Sequence, residues 1–439
     1  MKIVSLSGFT GKKFATAALM LAAAPASAQQ APPVASQFEP QVTQPAGPVT
    51  LSLSYASDLN ADVEGGQRRG AAYLGKASLA ADADLDRLIG LPHATGHISI
   101  LDIHGVGLSG HYVGNLAPVS GIEAEPAIRL NQAWLQIPVG RAQNLTLRLG
   151  KFPAAQVFMV SPTASLFISS TFGWPGSFAN DLPSGGPSWP LSAPGAMAIA
   201  RIGGHATARV AVFAGDPAGP GQGDPQHRDR HGFNSFGFAG RPFLIAETAY
   251  AAGGATVTIG GWVHFNRFAD IRTPFSPAVT PPRQHPRNLA GYAMIDGAIW
   301  KSDSAGSPTL SAFGRLSASP SDRNPVDIYF DGGITLKAPF AGRPRDVLGF
   351  AVARSRISPR LREAAWLAQR SGLPSASLPG SETVVEASYS FAANSQLSLQ
   401  PNAQFVRHPS ANALSPAVAA GRTGNAMIVG LRTTFSLTR

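Results

Sequence analysis

Asn425-Ala-Met-Ile-Val-Gly-Leu-Arg-Thr-Thr-Phe-Ser-Leu437 alternates with a period of two. Met427, Val429, Leu431, Thr433, Phe435 and Leu437 share one face and oppose Ile428, Gly430, Arg432, Thr434 and Ser436. Upstream, Glu382-Thr-Val-Val-Glu-Ala-Ser-Tyr-Ser-Phe391 repeats the arrangement, with Val385, Ala387, Tyr389 and Phe391 opposite Glu386, Ser388 and Ser390. Successive side chains of a strand point to opposite faces, so each piece is a strand with an apolar side and a polar, sometimes charged side. Such a strand borders a soluble core or separates lipid from a watery lumen.

The same reading applied outward gives sixteen strand-like segments. They are Leu51–Ala56, Ala71–Ala83, Thr95–Gly105, Ala127–Ile137, Asn144–Lys151, Gly195–Ile202, Ala206–Ala214, Pro242–Tyr250, Ala255–Asn266, Ala290–Trp300, Pro308–Leu316, Ile328–Lys337, Asp346–Arg356, Glu382–Phe391, Gln396–Val406 and Asn425–Leu437. Short connections such as Gly203-Gly204, Ala251–Gly254 and Ala392–Ser395 take turns with long ones such as Ser57–Gly70, Val106–Pro126, Phe152–Pro194, Gly215–Arg241 and Ile357–Ser381. A soluble sandwich has no reason to collect its long loops at one end. An outer-membrane barrel does, because it has short periplasmic turns, long external loops and an even strand count. Closure satisfies every backbone group in hydrocarbon, and roughly nine to eleven tilted residues suffice for a crossing. The fold class read here is all-β: a transmembrane antiparallel β-barrel of about sixteen strands over residues 50–439.

Export is written at the start of the chain. Lys2, Lys12 and Lys13 precede and flank a short apolar run, Phe14–Ala24, and Ala26-Ser27-Ala28 has the small residues of a cleavage site. Residues 1–28 therefore read as a secretory signal, and 29–49, rich in Pro, Gln and Ala, as a flexible lead-in. Charged residues make up 14% of the 439, well below the roughly 25% of soluble domains. Yet mean hydropathy is only +0.04, and no stretch after the signal is long enough for a membrane helix. Abundant Gly (47) and Pro (37) suit strands joined by turns. The net charge of +10 falls to +7 without the three signal lysines. Its basic residues are scattered, which argues against nucleic-acid binding. Ser358-Pro-Arg-Leu-Arg-Glu-Ala-Ala-Trp-Leu-Ala-Gln-Arg370, with Gly372 beyond, predicts one short external helix with a capping serine.

No catalytic constellation emerges. There is no cysteine, so thiolate nucleophiles, disulfides and Cys-ligated metals are excluded. His93, His97, His104 and His111 cluster in sequence, but Pro92 and Gly96 argue against the helix that the spacing of His93 and His97 would need, and on a strand the spacing of seven throws His97, His104 and His111 onto alternate faces, so no metal-ligand signature results. Gly105-Val-Gly-Leu-Ser-Gly110 lacks the spacing of a nucleophile elbow, and Gly219-Pro-Gly-Gln-Gly223 lacks the lysine of a phosphate loop. The chain reads as no enzyme, with no cofactor and no metal.

Charges on the polar faces of apolar strands are more informative. Arg148 sits in phase with Thr146, opposite three leucines; Arg315 opposes Leu310, Ala312, Gly314 and Leu316; Lys337 opposes Ile334 and Leu336. Glu386, Arg432 and, less cleanly, Glu247 follow the same rule, and Arg129 joins them if its register allows. A charge facing lipid at mid-depth costs about 2–4 kcal/mol, so these residues are expected to line the lumen. The connection Phe152–Pro194 contains Phe152, Phe158, Phe167, Phe172, Trp174, Phe178 and Trp189, with Asp181 as its one charge after Lys151. So apolar a segment would make a poor free flap. It is expected to fold against the barrel wall and constrict the pore over 152–194, where Trp174 and Trp189 offer faces for stacking.

Several stretches together resemble the carbohydrate-selective porin (OprB-type) family. They include Gly110-His-Tyr-Val-Gly-Asn-Leu116, Arg129-Leu-Asn-Gln-Ala-Trp134, Leu147-Arg-Leu-Gly-Lys-Phe152, Ser169-Ser-Thr-Phe-Gly-Trp-Pro175, Val212-Phe-Ala-Gly-Asp-Pro217, Val385-Glu-Ala-Ser-Tyr389, Leu399-Gln-Pro-Asn402 and Gly430-Leu-Arg432. Their order and spacing match across nearly the whole mature chain. The chain departs from the family in ending Phe435-Ser-Leu-Thr-Arg439 rather than on an aromatic residue, and between Gly215 and Arg241. The resemblance implies a sixteen-stranded bacterial outer-membrane porin passing monosaccharides such as glucose by facilitated diffusion. Its partners would be small neutral sugars and outer-membrane lipid, with self-association into a homo-oligomer left open. A general or anion-preferring porin of the same fold is the first alternative, and a secreted all-β binding protein or enzyme the second.

Overall fold

The computed structural model describes residues 47–140, 142–271, 283–302, 308–372, 377–411 and 423–438. The signal segment and all but the end of the lead-in lie outside the described residues. Among the described residues eighteen strands follow in order: β1 Val49–Gly66, β2 Gly70–Asp84, β3 Thr95–Gly105, β4 Ala127–Val139, β5 Leu145–Phe152, β6 Ala193–Ile202, β7 Ala206–Phe213, β8 Phe243–Ala252, β9 Ala255–His264, β10 Phe268–Ala269, β11 Gln284–His285, β12 Asn288–Lys301, β13 Thr309–Ala318, β14 Val326–Lys337, β15 Val347–Ile357, β16 Ser381–Ala392, β17 Leu397–Arg407 and β18 Gly424–Thr438. Sixteen of them form one closed barrel, while β10 and β11 make a separate two-stranded hairpin. β18 pairs antiparallel with β1 from Ser52↔Thr438 to Gly66↔Gly424, which closes the ring and leaves no open edge.

The faces obey the alternation of the sequence. Met427, Val429 and Leu431 are exposed while Ile428 and Arg432 are buried; Leu147 and Leu149 are exposed while Thr146 is buried. The same outward set continues around the barrel through Leu79, Ile98, Val210, Ile259, Ile295, Phe330 and Phe350. A continuous apolar band of this size is untenable in water and is what hydrocarbon demands. No helix among the described residues is long and apolar enough to cross a membrane.

Two details differ from expectation. Ser57–Gly70 is not a loop: β1 runs to Gly66, and a three-residue turn leads directly into β2. Asp58, Asn60 and Asp62 are buried inside the barrel while Leu59 and Val63 face out, so the stretch alternates like a strand although its polar half lowers its hydropathy. Gly65 and Gly66 close this hairpin with φ of 89° and 59°. The helix Pro359–Arg370 forms as expected and stops at Gly372, whose φ is 73°. However, Ser358 does not cap it; its hydroxyl donates to the Ser321 carbonyl of the neighbouring loop instead.

Long connections lie at one end of the barrel, and two of them turn inward. Within residues 153–192, Phe158, Phe167, Phe172 and Phe178 are buried. They pack on inward-facing wall residues: Phe178 lies edge-on to Trp262 and Tyr292, and Phe172 meets Phe313 at right angles. Each such pair adds about 0.5–1.5 kcal/mol to area burial. The β3–β4 connection, residues 106–126, buries Leu108, Val113, Val119 and Ile122 beside it.

Candidate functional site

The inward loops carry many main-chain N–H and C=O groups that need partners. The wall supplies them through charged side chains. Arg315 on β13 donates Nε and Nη2 to Asp331 on the neighbouring β14. Its Nη1 donates to the carbonyls of Met159 (3.2 Å) and Gly173 (3.0 Å), and Nη2 to those of Thr171 (3.1 Å) and Phe172 (2.9 Å). A guanidinium fork offers five donors in one plane, which suits it to gather several loop carbonyls at once.

Carboxylates do the converse. Glu386 on β16 accepts from the amides of Ile168 (2.7 Å) and Ser169 (2.9 Å) and from the Ser388 hydroxyl. Asp296 on β12 accepts from the Ser161 hydroxyl, from the Thr163 amide (3.0 Å) and from the Thr163 hydroxyl (2.9 Å). Glu247 on β8 accepts from the Met159 amide, the Tyr292 hydroxyl and Arg209 Nη1, at 2.9, 2.9 and 2.8 Å. Glu382 on β16 holds the second loop through the amides of Leu116 (2.7 Å) and Ala117 (2.9 Å), and Arg432 on β18 pairs with Asp58 on β1 while donating to Ser120. Hydrogen bonds to ionised groups are roughly twice as strong as neutral ones.

The loops themselves hold two unusual acids. Glu123, accepting from the Ser109 hydroxyl and the Leu108 and Ser109 amides, is pushed up to about 7 by burial. Burial also raises Asp181 well above the carboxylate range, although the Ser319 hydroxyl and Val326 amide donate to it.

Beside the longer inward loop lies a cavity of about 390 Å³. Arg148, Arg209, Thr256, Thr258, Glu247 and Asp296 line it from the wall, and Gln156, Val157, Val160 and Pro162 from the loop. Arg148 rests 4.0 Å above the Trp134 ring and donates Nε and Nη2 to Gln136 Oε1 (3.0 and 2.8 Å). The site thus sets two cations against two carboxylates, with hydroxyls, an amide and an apolar edge between them. Its volume fits a small molecule.

Of the residues singled out in the sequence, Arg148 and Glu247 meet at this cavity. Arg315, Glu386 and Arg432 lie buried beneath the loops, engaged as described. Arg129 is buried under the longer loop, with Nη1 3.3 Å from the Pro190 carbonyl. A register shift between Ser99 and Ile100, opposite Gln132 and Leu130, resolves the ambiguity of its strand by bringing Arg129, Asn131 and Gln132 all inward. Lys337, paired between Thr309 and Val347, sits half-buried at the periplasmic end of β14 and does not line the cavity. Trp174 donates to the Gly185 carbonyl and packs edge-on to Phe178. Trp189 donates to the Glu123 carbonyl and lies under the Lys76 ammonium, 5.0 Å away. Arg209 and Asp296 were missed. Both obey the rule that found Arg148, a charge in phase with inward residues: Arg209 with Ala211 and Phe213, Asp296 with Tyr292 and Met294.

A closed sixteen-stranded barrel with an apolar outer band and a polar lumen entered by its own loops is a porin of the bacterial outer membrane. Residues 68–437 match the model of the OprB family of carbohydrate-selective porins, and the chain belongs to that family. The high-pH structure of Pseudomonas putida OprB is similar over 89% of this chain and 94% of its own, with 20% identity and a TM-score of 0.76. The low-pH structure of the same protein covers 89% and 92%, with 14% identity and a TM-score of 0.53. No match to a curated protein sequence is found. The family and the fold are those of transport channels.

Proposed function

We propose that this porin carries small neutral sugars, monosaccharides such as glucose first, by facilitated diffusion through the cavity beside the 153–192 loop. That loop acts as the constriction. The observation that carries the reading is the balance of charge and donors around the cavity. Arg148 and Arg209 offer N–H groups, Glu247 and Asp296 offer oxygens, and Thr256, Thr258 and Gln156 offer both. A polyhydroxylated solute can exchange its water for these groups around its whole rim, while an ion is attracted by half of them and repelled by the rest. The apolar edge of Val157, Val160 and Pro162 suits the C–H face of a sugar ring.

An anion-preferring pore of the same fold is favoured by the surplus positive charge. Against it, Arg209, Arg315 and Arg432 each pair with a carboxylate within the barrel, which offsets part of the positive charge that faces the lumen. Ion current through single channels in a planar bilayer tests both readings. The sugar reading expects glucose to block the current saturably and the reversal potential in a salt gradient to stay near zero. A strongly anion-selective reversal potential without sugar block sinks it.

A further inference from the structure

Outside the lumen, at the external mouth, one group among the described residues brings three metal-ligating side chains together: Asp270, His285 and Asp322, whose ligand atoms all lie within 4.8 Å of one another. The fold builds the group from two neighbouring loops. Phe268 pairs with His285 across the β10–β11 hairpin, which puts Asp270, two residues on, on the same face as the imidazole. The Asp270 amide donates to the Arg283 carbonyl at 2.8 Å, holding the hairpin one residue beyond its ladder. The Ile271 amide donates to the Asp322 carbonyl, also at 2.8 Å, and so brings in the β13–β14 loop.

The separations are informative. His285 Nε2 lies 3.2 Å from Asp270 Oδ2 and 3.7 Å from Asp322 Oδ2. Zinc binds imidazole nitrogen and carboxylate oxygen at about 2.0–2.2 Å, which places two ligands of a tetrahedral ion about 3.3–3.5 Å apart. These two edges straddle that value. Asp322 is also oriented from behind: Arg323 Nε donates to its other oxygen, Oδ1, at 2.7 Å, and Arg323 Nη1 is tied to the Arg287 carbonyl at 2.7 Å. Arg323 Nη2 reaches Oδ2 at 3.2 Å and would give up that contact to a bound ion, keeping the Nε bond as an outer-shell support of the kind that orients metal-binding carboxylates.

We propose that Asp270, His285 and Asp322 form a divalent-cation site of the zinc class that fastens the β10–β11 hairpin to the β13–β14 loop. One nitrogen and two monodentate carboxylates suit zinc rather than calcium or magnesium, which take six or more oxygens or keep most of their water. The proposal stands independently of which solute crosses the pore. The test uses the full chain, purified without a histidine tag, stripped with chelator and titrated with zinc in detergent. One equivalent per chain is expected to bind, cobalt substituted for zinc is expected to show the visible spectrum of tetrahedral coordination, and Asp270→Asn or His285→Gln is expected to weaken zinc binding at least tenfold. Gel mobility before and after heating confirms that each variant is folded. Binding that survives both substitutions, or no saturable binding to the folded chain, overturns the site.

Discussion

Replacing Arg315 by methionine is the sharpest test of the proposal that the 153–192 loop narrows the lumen. The guanidinium is fully buried against Asp331 and bonds to four carbonyls of one loop, those of Met159, Thr171, Phe172 and Gly173. Removing one partner of a buried ion pair costs about 3–5 kcal/mol, because the other charge is left uncompensated. Each carbonyl that finds no water adds about 1–3 kcal/mol. The loss falls on the docking of the loop, since the β13 ladder to β12 and β14 is made by backbone and stays intact. The expected result is a folded, heat-modifiable barrel whose 153–192 segment is cut rapidly by protease. Single-channel conductance rises, and discrimination between solutes by size falls. The double variant Arg315→Met, Asp331→Asn removes the orphaned charge and recovers only part of the protease resistance, because the four loop carbonyls stay without their donor. Unchanged conductance and unchanged cleavage in folded Arg315→Met protein would refute the idea that this side chain holds the loop.

Arg148→Ala removes the cation from the Trp134 face and the two donors to Gln136; a cation–π contact is worth roughly 0.5–2 kcal/mol. The preference for glucose over a non-sugar solute of equal size should fall several-fold in a proteoliposome assay. Glu123 keeps its proton to about pH 7 in the folded chain against an ordinary value of 4.5. Folding therefore takes up a proton between those values, and the stability this group contributes at low pH is lost as pH rises toward 7. Glu123→Gln should flatten that part of a plot of thermal midpoint against pH, and an unchanged slope would count against the burial argument. Gly65→Ala places a methyl carbon 1.6 Å from the Asn425 carbonyl oxygen at φ 89°, whereas Gly203→Ala, at φ 60°, meets nothing within 4 Å. The first should sharply lower the yield of heat-modifiable barrel, while the second costs only the left-handed strain of about 1–2 kcal/mol.

The barrel was legible because its signal is local. Period-two alternation needs no knowledge of partners, and Met427 to Leu431 or Leu147 to Leu149 announce their faces alone. Loop length at alternate ends added the topology. β1 beyond Ala56 escaped because Asp58, Asn60 and Asp62 look like loop residues until the barrel gives them an inside. Arg209 and Asp296 obeyed the rule that found Arg148 and were passed over.

What charged residues do inside was less legible. Arg315 and Arg432 pair across strands, with Asp331 and Asp58, and such pairs depend on register. Glu386 and Glu382 bond to amides of loops more than 200 residues away in sequence. Sequence phase therefore separates lumen from lipid, but it cannot tell a side chain that meets solute from one spent on loop backbone. The aromatic content of residues 153–192 signalled an inward fold. Residues 106–126 carry no such density and turn inward through Leu108, Val113 and Val119, held by Glu382 and, through Ser120, by Asp58 and Arg432.

Entry of solutes into liposomes carrying the purified protein addresses the central claim most directly. Glucose would be compared with neutral non-sugar solutes of similar size and with charged solutes. The account predicts that glucose enters fastest, and that Arg148→Ala erases its advantage without closing the pore. Entry ranked by size alone, with glucose unexceptional, would contradict a sugar-selective lumen.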